Sequence, residues 1–230
     1  MTGHDRRAYL ISGAEYLGIA LSPEEADKML SHIGLVLNAI KNVNLTSIKE
    51  EEPFIVKHIL DSLTPLNKIR SLLRQHKIKS DGKFNICDLG SGAGFPGIPL
   101  AIALPECEFT LLESIGKKAS LLRSFISDEG LALRNASVIN DRAEIIDKTE
   151  PYKRHFDIVI ARAVASMPIL IKIGFPLLKK GGMLIAMKGS AVEPFHDELA
   201  AYGGIVDEII NFILPYINHV RKTICLINKK

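Results

Sequence analysis

The sequence predicts an α/β protein: one open sheet of seven strands, mostly parallel, ending in an antiparallel C-terminal hairpin and preceded by a helical N-terminal extension. Three observations predict it. From residue 84 onward, short strand-like apolar runs alternate with helical patterns, as parallel sheets with crossover helices require. The first run, Phe84 to Leu89, breaks into Gly90, Gly92, Gly94 and Gly97 before a helical run from Ile98 to Leu104. Strand, glycine turn and helix open a nucleotide-binding, Rossmann-like sheet. The last two apolar runs, Ile209–Leu214 and Lys222–Ile227, are joined only by Pro215-Tyr-Ile-Asn218, which is too short for a parallel crossover.

The elements before the sheet read as helices. Residues 1–20 hold one, with Tyr9, Leu10, Tyr16 and Leu17 on its apolar side. Ser22-Pro23-Glu24-Glu25 is a helix start: Ser22 caps, Pro23 suits the first turn, and Glu25 completes a capping box. Ala26, Met29, Leu30, Ile33, Val36, Leu37 and Ile40 then recur with helical period, up to the turn formers Asn42-Val-Asn-Leu-Thr46. Two further helices are expected over Pro53–Leu63 and Pro65–Lys77. Lys79-Ser-Asp-Gly82 is a polar linker, so residues 1–80 form the helical extension and 81–230 the sheet domain.

Within that domain the expected strands are Phe84–Leu89, Phe109–Glu113, Ala136–Ile139, Phe156–Ala161 and Met183–Met187, followed by the hairpin. Helices are expected over Lys117–Ser127, over Ile169–Leu178 closed by Lys179-Lys-Gly-Gly182, and over Pro194–Tyr202.

Composition excludes some classes. The chain has 230 residues, 47% of them apolar, and a net charge of +3. That supports an ordinary core and permits an RNA partner on one basic face. No apolar run is long enough to cross a bilayer, and no signal-peptide core follows the N-terminus. Cys87, Cys107 and Cys225 are far apart in apolar contexts, with neither a zinc spacing nor a disulfide framework, so no metal is expected. A cytoplasmic protein with reduced, buried thiols follows, and a monomer is expected.

The chemistry concentrates at the strand ends. Gly92, Gly94 and Gly97 fit the dinucleotide pattern G-x-G-x-x-G, but Asp88 stands two residues before the first glycine. A carboxylate there repels a pyrophosphate and suits a cofactor that carries an ammonium and a sulfonium. Asp-x-Gly-x-Gly-x-Gly resembles the first motif of the class I S-adenosylmethionine-dependent methyltransferases. Glu113 ends the second strand, near the ~20-residue offset at which an acid reaches a ribose diol. Asn140-Asp-Arg-Ala-Glu144 follows the third strand, where an adenine would lie. Arg162 and Lys188 follow the fourth and fifth strands, two cations suited to a substrate phosphate or to the cofactor carboxylate.

Further motifs make the resemblance specific. Asn44-Leu-Thr-Ser, Lys57-His-Ile-Leu-Asp-Ser62, Asp88 to Leu100, Leu112-Glu-Ser-x-x-Lys-Lys118, Arg142-Ala-Glu144, Arg162-Ala-Val-Ala-Ser166 and Lys188-Gly189 occur in this order. Together they resemble the RsmG (GidB) family of bacterial 16S ribosomal RNA guanine-N7 methyltransferases. Val43 stands where many members carry an aromatic residue. The resemblance implies that S-adenosyl-L-methionine is the cofactor, contacted by Gly90, Phe95, Ala143, Glu144 and Arg162, with Glu113 on the ribose. It implies methyl transfer to N7 of one guanine in 16S rRNA of the small ribosomal subunit. RNA-binding candidates are Asn44, His58, Lys117, Lys118 and Lys188. Basic residues around Lys68–Lys79, Lys117–Arg123 and Lys153–His155 form a candidate RNA face. No catalytic base is required, since N7 has a free lone pair; Arg162 and Lys188 are positioning candidates. Two alternatives are a nicotinamide-dependent oxidoreductase, from the glycine spacing, and a non-catalytic RNA-binding assembly factor.

Overall fold

The computed structural model describes residues 3–40, 51–79, 82–217 and 219–230; the Asn44 motif lies outside them. Two helices come first, α1 (Gly3–Tyr16) and α2 (Pro23–Ile40). The capping box at the start of α2 is formed: the Glu25 N–H donates to Ser22 Oγ at 3.1 Å, and the Ser22 N–H donates to Glu25 Oε2 at 2.7 Å. The inner line of α1 is Leu10 and Ala14, both fully buried. Tyr16, expected on that side, is 63% exposed because α1 ends there and its ring leaves the packing line.

A helical segment over 51–63 follows, here α3. It runs from Glu51–Phe54 through a π-helical turn, Ile55–Leu60, into Asp61–Leu63. Next come α4 (Leu66–Lys79), β1 (Phe84–Leu89), α5 (Gly97–Ala103), β2 (Cys107–Leu112), α6 (Gly116–Ile126), β3 (Ala136–Ile139) and α7 (Ala143–Ile146). The chain continues with β4 (Phe156–Arg162), α8 (Met167–Gly174), β5 (Leu178–Lys188), α9 (His196–Ala201), β6 (Gly204–Leu214) and β7 (His219–Asn228).

Several expected boundaries moved, among them the start of β6, which lies at Gly204 and not Ile209. The helix placed over Ile169–Leu178 stops at Gly174, gives one 3-10 turn at Phe175–Leu177, and hands over to β5. Lys179-Lys-Gly-Gly182, expected to be the connection, lies inside that strand. Leu178 pairs with Phe156 and Met183 with Ile158, so the register shift leaves Lys179–Gly182 of β5 opposite Asp157 alone and absorbs the glycines as a bulge. The last helix is shorter than expected, His196–Ala201.

The sheet order is β3-β2-β1-β4-β5-β7-β6. β1 to β5 are parallel, and β7 inserts antiparallel between β5 and β6. Side chains alternate across the sheet with period two. Ile86, Ile158, Ile160, Ile185 and Met187 join one core with α1 to α6. Cys87, Leu89, Val159, Ala161, Leu184 and Ala186 join a second core with α7 to α9. The helical extension therefore packs on the α5–α6 face. The three cysteines are free and buried. Among the described residues no helix is long and apolar enough to cross a membrane.

The chain leaves β1 toward β2 on one side and reaches β4 on the other. The strand order switches between β1 and β4, so the crevice of this sheet opens at their carboxyl ends.

Candidate active site

The glycine turn between β1 and α5 is held by its own main chain. Gly90 and Ser91 donate to Leu112 O at 2.9 and 3.0 Å, and Gly94 and Phe95 donate to Ser91 O at 2.8 and 3.2 Å. Gly92 donates to Glu113 Oε2 at 2.9 Å, and Gly97 donates to Asp88 Oδ2 at 2.9 Å. A pyrophosphate site needs such N–H groups aimed at the ligand. Here six of them already have protein acceptors.

Asp88 is fully buried behind the turn. Its Oδ2 also accepts from the Ser91 hydroxyl, and its Oδ1 has no protein partner. Burial is the main cause that raises its carboxyl to about 6, against the Ser91 and Gly97 hydrogen bonds. Asp88 thus shapes the turn from inside and does not line the cleft. Gly97 is glycine because a Cβ there would lie 2.6 Å from Asp88 Oδ2 and 2.4 Å from Leu111. Gly92 is glycine for another reason. Its φ is +58°, and a Cβ would meet nothing nearer than Gly90 O at 3.9 Å. That side of the turn is open space kept free of side chains.

Glu113, directly after β2, is 5% exposed. Its Oε2 accepts from Gly92 and its Oε1 from Ile115 at 2.8 Å. Asn140 Nδ2 donates to Glu113 O at 2.8 Å, tying the tips of β2 and β3 together.

Opposite the turn stands a wall of side chains. Asp61, in α3, is 3% exposed. Arg162, from the end of β4, donates through Nη1 to Asp61 Oδ2 and to Lys57 O, each at 3.0 Å. Its Nη2 lies 2.9 Å from His58 Nδ1, which is the acceptor of that pair. Arg221, from β7, donates through Nε to Asp61 Oδ1 at 2.7 Å and through Nη2 to Oδ2 at 3.1 Å. One carboxylate holds two guanidiniums, a bidentate pair on one side. Burial first and the Arg162 charge second depress the His58 imidazole to about 3, so His58 is neutral.

Phe95 joins the two sides. Its ring stacks on His58 at 4.9 Å and meets His32 of α2 in a tilted contact at 4.5 Å, and the Arg162 guanidinium lies 5.5 Å over it. His32 is fully buried; its Nε2 donates to Ala93 O of the turn at 2.8 Å, and burial lowers its pKa to about 4. The helical extension therefore grips the glycine turn from behind.

A cleft of about 450 Å³ lies between turn and wall. It is lined by Gly90, Gly92, Phe95 and Glu113 on one side, and by His58, Asp61, Arg162 and Arg221 on the other. A second chamber of about 210 Å³ shares Gly90 and is lined by Ala143 and Glu144. Gly90, Gly92, Phe95, Glu113 and Arg162 line the cleft and Ala143 and Glu144 the chamber beside it, with Gly94 turned toward Ile98 and His32.

The expected RNA residues separate. Lys118 lines the cleft, while Lys117 is exposed outside its lining. Lys188 is turned away: its Nζ donates to Ala165 O and lies 3.5 Å from Glu193. Lys68 is locked between Asp207 and Glu208 at 2.7 and 2.9 Å, because the β6 bulge presents both acids to α4. Lys153 and Arg154 line a different cavity, before the start of β4 and so at the opposite end of the sheet. Sequence reasoning passed over Arg221 and His32. Neither has a local signal, since their partners Asp61 and Ala93 lie 160 and 61 positions away.

The open space at Gly92 and the carboxylate of Glu113 suit an adenosine, and the turn fits an adenosyl donor rather than a dinucleotide because the N–H groups a pyrophosphate would need already have protein acceptors. Solved structures agree on the fold. The chain superposes with TM-score 0.51 on a predicted O-methyltransferase of Agrobacterium tumefaciens at 23% identity, covering 66% of this chain and 77% of that one. It superposes with TM-score 0.51 on a SAM-dependent methyltransferase of Aquifex aeolicus at 12% identity, covering 74% and 92%. Among curated proteins, Ribosomal RNA small subunit methyltransferase G of Acetivibrio thermocellus is 35% identical, covering 97% of this chain and 88% of the relative. The same-named protein of Deinococcus radiodurans is 36% identical, covering 96% and 84%. The family model for GidB, rRNA small subunit methyltransferase G, matches residues 25–202. The chain is a member of that family and a methyltransferase that uses S-adenosyl-L-methionine.

Proposed function

We propose that this chain methylates N7 of one guanine in 16S rRNA of the small ribosomal subunit, acting as a cytoplasmic monomer. The observation that carries the reading is the Gly90–Gly94 turn facing a wall of fixed cations across one cleft. S-adenosyl-L-methionine, when bound, supplies an electrophilic methyl group on a sulfonium. The chain's residues then have three tasks.

The first is to hold the donor. Glu113 keeps lone pairs for the ribose hydroxyls, since a carboxylate offers about four acceptor sites and two are filled by Gly92 and Ile115. Gly90 and Gly92 give the donor room, Ala143 and Glu144 border the chamber for its base, and Phe95 forms the floor. The second is to orient the acceptor. Arg162 is fixed by Asp61, the Lys57 carbonyl and His58, so it enters the cleft in one orientation. The third is to attract the nucleic acid, a task for Lys118 at the cleft and, outside it, Lys117.

Guanine N7 carries an in-plane lone pair and no proton, so the transfer is one displacement and needs no base. His58 is neutral and its Nδ1 already accepts from Arg162, which suits a spacer and not a proton carrier. Aligning the two reacting atoms contributes roughly 7–11 kcal/mol in well-oriented systems.

The test is nucleoside mass spectrometry of 16S rRNA from cells lacking the gene, after incubation with the protein and donor. A single new 7-methylguanosine is expected. Its absence, with S-adenosylhomocysteine still bound, rejects the reading.

A further inference from the structure

The charge around Asp61 does not balance. Lys57, Lys118, Arg162 and Arg221 bring four positive charges to the cleft lining, and Asp61 and Glu113 bring two negative ones, an excess of two without the histidines. The excess is most confined at Asp61, where two guanidiniums share one carboxylate. Their side chains are only 12% and 18% exposed. Confining an uncompensated charge in this way is costly unless an anion completes the set.

Arg221 is built to receive one. Its bonds to Asp61 use Nε and Nη2, which leaves the two N–H groups of Nη1 outside that clamp. A guanidinium already fixed along one edge loses little freedom on meeting a second oxyanion. Arg162 is more fully engaged, with Asp61, the Lys57 carbonyl and His58 all bonded to it.

The sheet order says which anion. The turn, Glu113 and Ala143–Glu144 follow β1, β2 and β3, on one side of the strand switch. Arg221 lies on β7, beyond β4 and β5 on the other side. The donor's ribose and base are read on the first side, which leaves the second to the acceptor. We propose that Arg221, clamped by Asp61 beside Arg162, is a phosphate subsite that takes a backbone phosphate of the RNA next to the target guanine. This rests on the cleft being the rRNA methyl-transfer site.

The test uses Arg221→Gln and Arg221→Lys in the full chain, with thermal unfolding as a check on folding. Filter binding of radiolabelled 16S rRNA is measured over a salt series, S-adenosylhomocysteine affinity by calorimetry, and KM for RNA by methyl incorporation. Arg221→Gln is expected to weaken RNA binding and raise KM for RNA about tenfold. It should lower the log–log salt slope by about 0.7–0.9, the value of one phosphate contact, and leave S-adenosylhomocysteine affinity within about twofold. Arg221→Lys keeps the charge and should retain the slope. An unchanged slope and KM for folded Arg221→Gln makes the pair a structural brace only. A loss confined to S-adenosylhomocysteine affinity moves the anion to the donor's carboxylate. Either result overturns the subsite while wild-type methylation stands. The converse, wild type that binds RNA with an Arg221-dependent slope and methylates nothing, upholds the subsite and rejects the assigned reaction.

Discussion

Across the cleft, two walls solve the same problem with different parts. On the β1–β2 side, main-chain N–H groups, glycines and a buried Asp88 make a surface whose shape is fixed by local chain geometry. On the α3–β7 side, side chains from three distant segments meet at Asp61. The first wall is defined by what is absent, a Cβ at Gly92. The second is defined by what is present, two guanidiniums on one carboxylate. A donor that recurs unchanged suits the first. A large, polyanionic acceptor that must be gripped and released suits the second, because charge contacts respond to approach and to salt.

The comparison predicts that damage to one wall is felt by one ligand. Gly92→Val should have the largest effect. It puts a β-branched residue at φ +58°, at a strain of about 1–3 kcal/mol, and fills the donor's space. S-adenosylhomocysteine affinity should fall roughly 1,000-fold, about 4 kcal/mol, while calorimetry of unfolding still shows a cooperative transition. Unchanged affinity would place the donor elsewhere.

Asp61→Asn should cost about 3 kcal/mol of stability, because it leaves two nearly buried guanidiniums without their carboxylate. Urea unfolding measures it, and a loss below about 1 kcal/mol would mean the pair is no more than a surface bridge. Glu113→Gln keeps the volume and loses one acceptor oxygen for Gly92 or Ile115. It should weaken S-adenosylhomocysteine about tenfold and leave RNA binding alone; an RNA defect of equal size would erase the distinction between the walls.

The smallest effect is a pH slope. His32 has a folded pKa of about 4, below its ordinary 6.5. Its contribution is therefore present above pH 6.5 and lost as pH falls through about 4. His58, at about 3, acts in the same direction. Asp88, raised to about 6, acts oppositely: its contribution is fully present below 3.8 and lost as pH rises through 6. His32→Phe keeps a ring against Phe95, so the variant should lose less stability than wild type between pH 6.5 and 4. Parallel curves in urea titrations at each pH would contradict the buried, neutral imidazole.

The first wall was legible in the sequence as one piece, whereas the second was legible only in parts: His58 and Arg162 stood out, and Arg221 and the joining of all three at Asp61 did not, for a physical reason. Glycine spacing, an acid before it and the Ser22–Glu25 capping box act within a few residues, so order along the chain is order in space. Even there, the sequence places Asp88 at the turn with a charge that suits the cofactor, whereas its burial puts it behind the turn. Arg221 meets Asp61 only because β7 inserts beside β5, and no local pattern announces that insertion. Lys68 looked like part of an RNA face until the β6 bulge supplied Asp207 and Glu208. The start of β5 is hidden in the sequence because two glycines signal a turn, yet pairing of Leu178 with Phe156 carries the strand through them.

The measurement closest to the central claim is hydrogen–deuterium exchange of the full chain, with and without S-adenosylhomocysteine. The account predicts protection in peptides covering 88–97, 112–116 and 141–146, with little change across β7. Protection centred on β7 and α3, with the glycine turn unaffected, would contradict it.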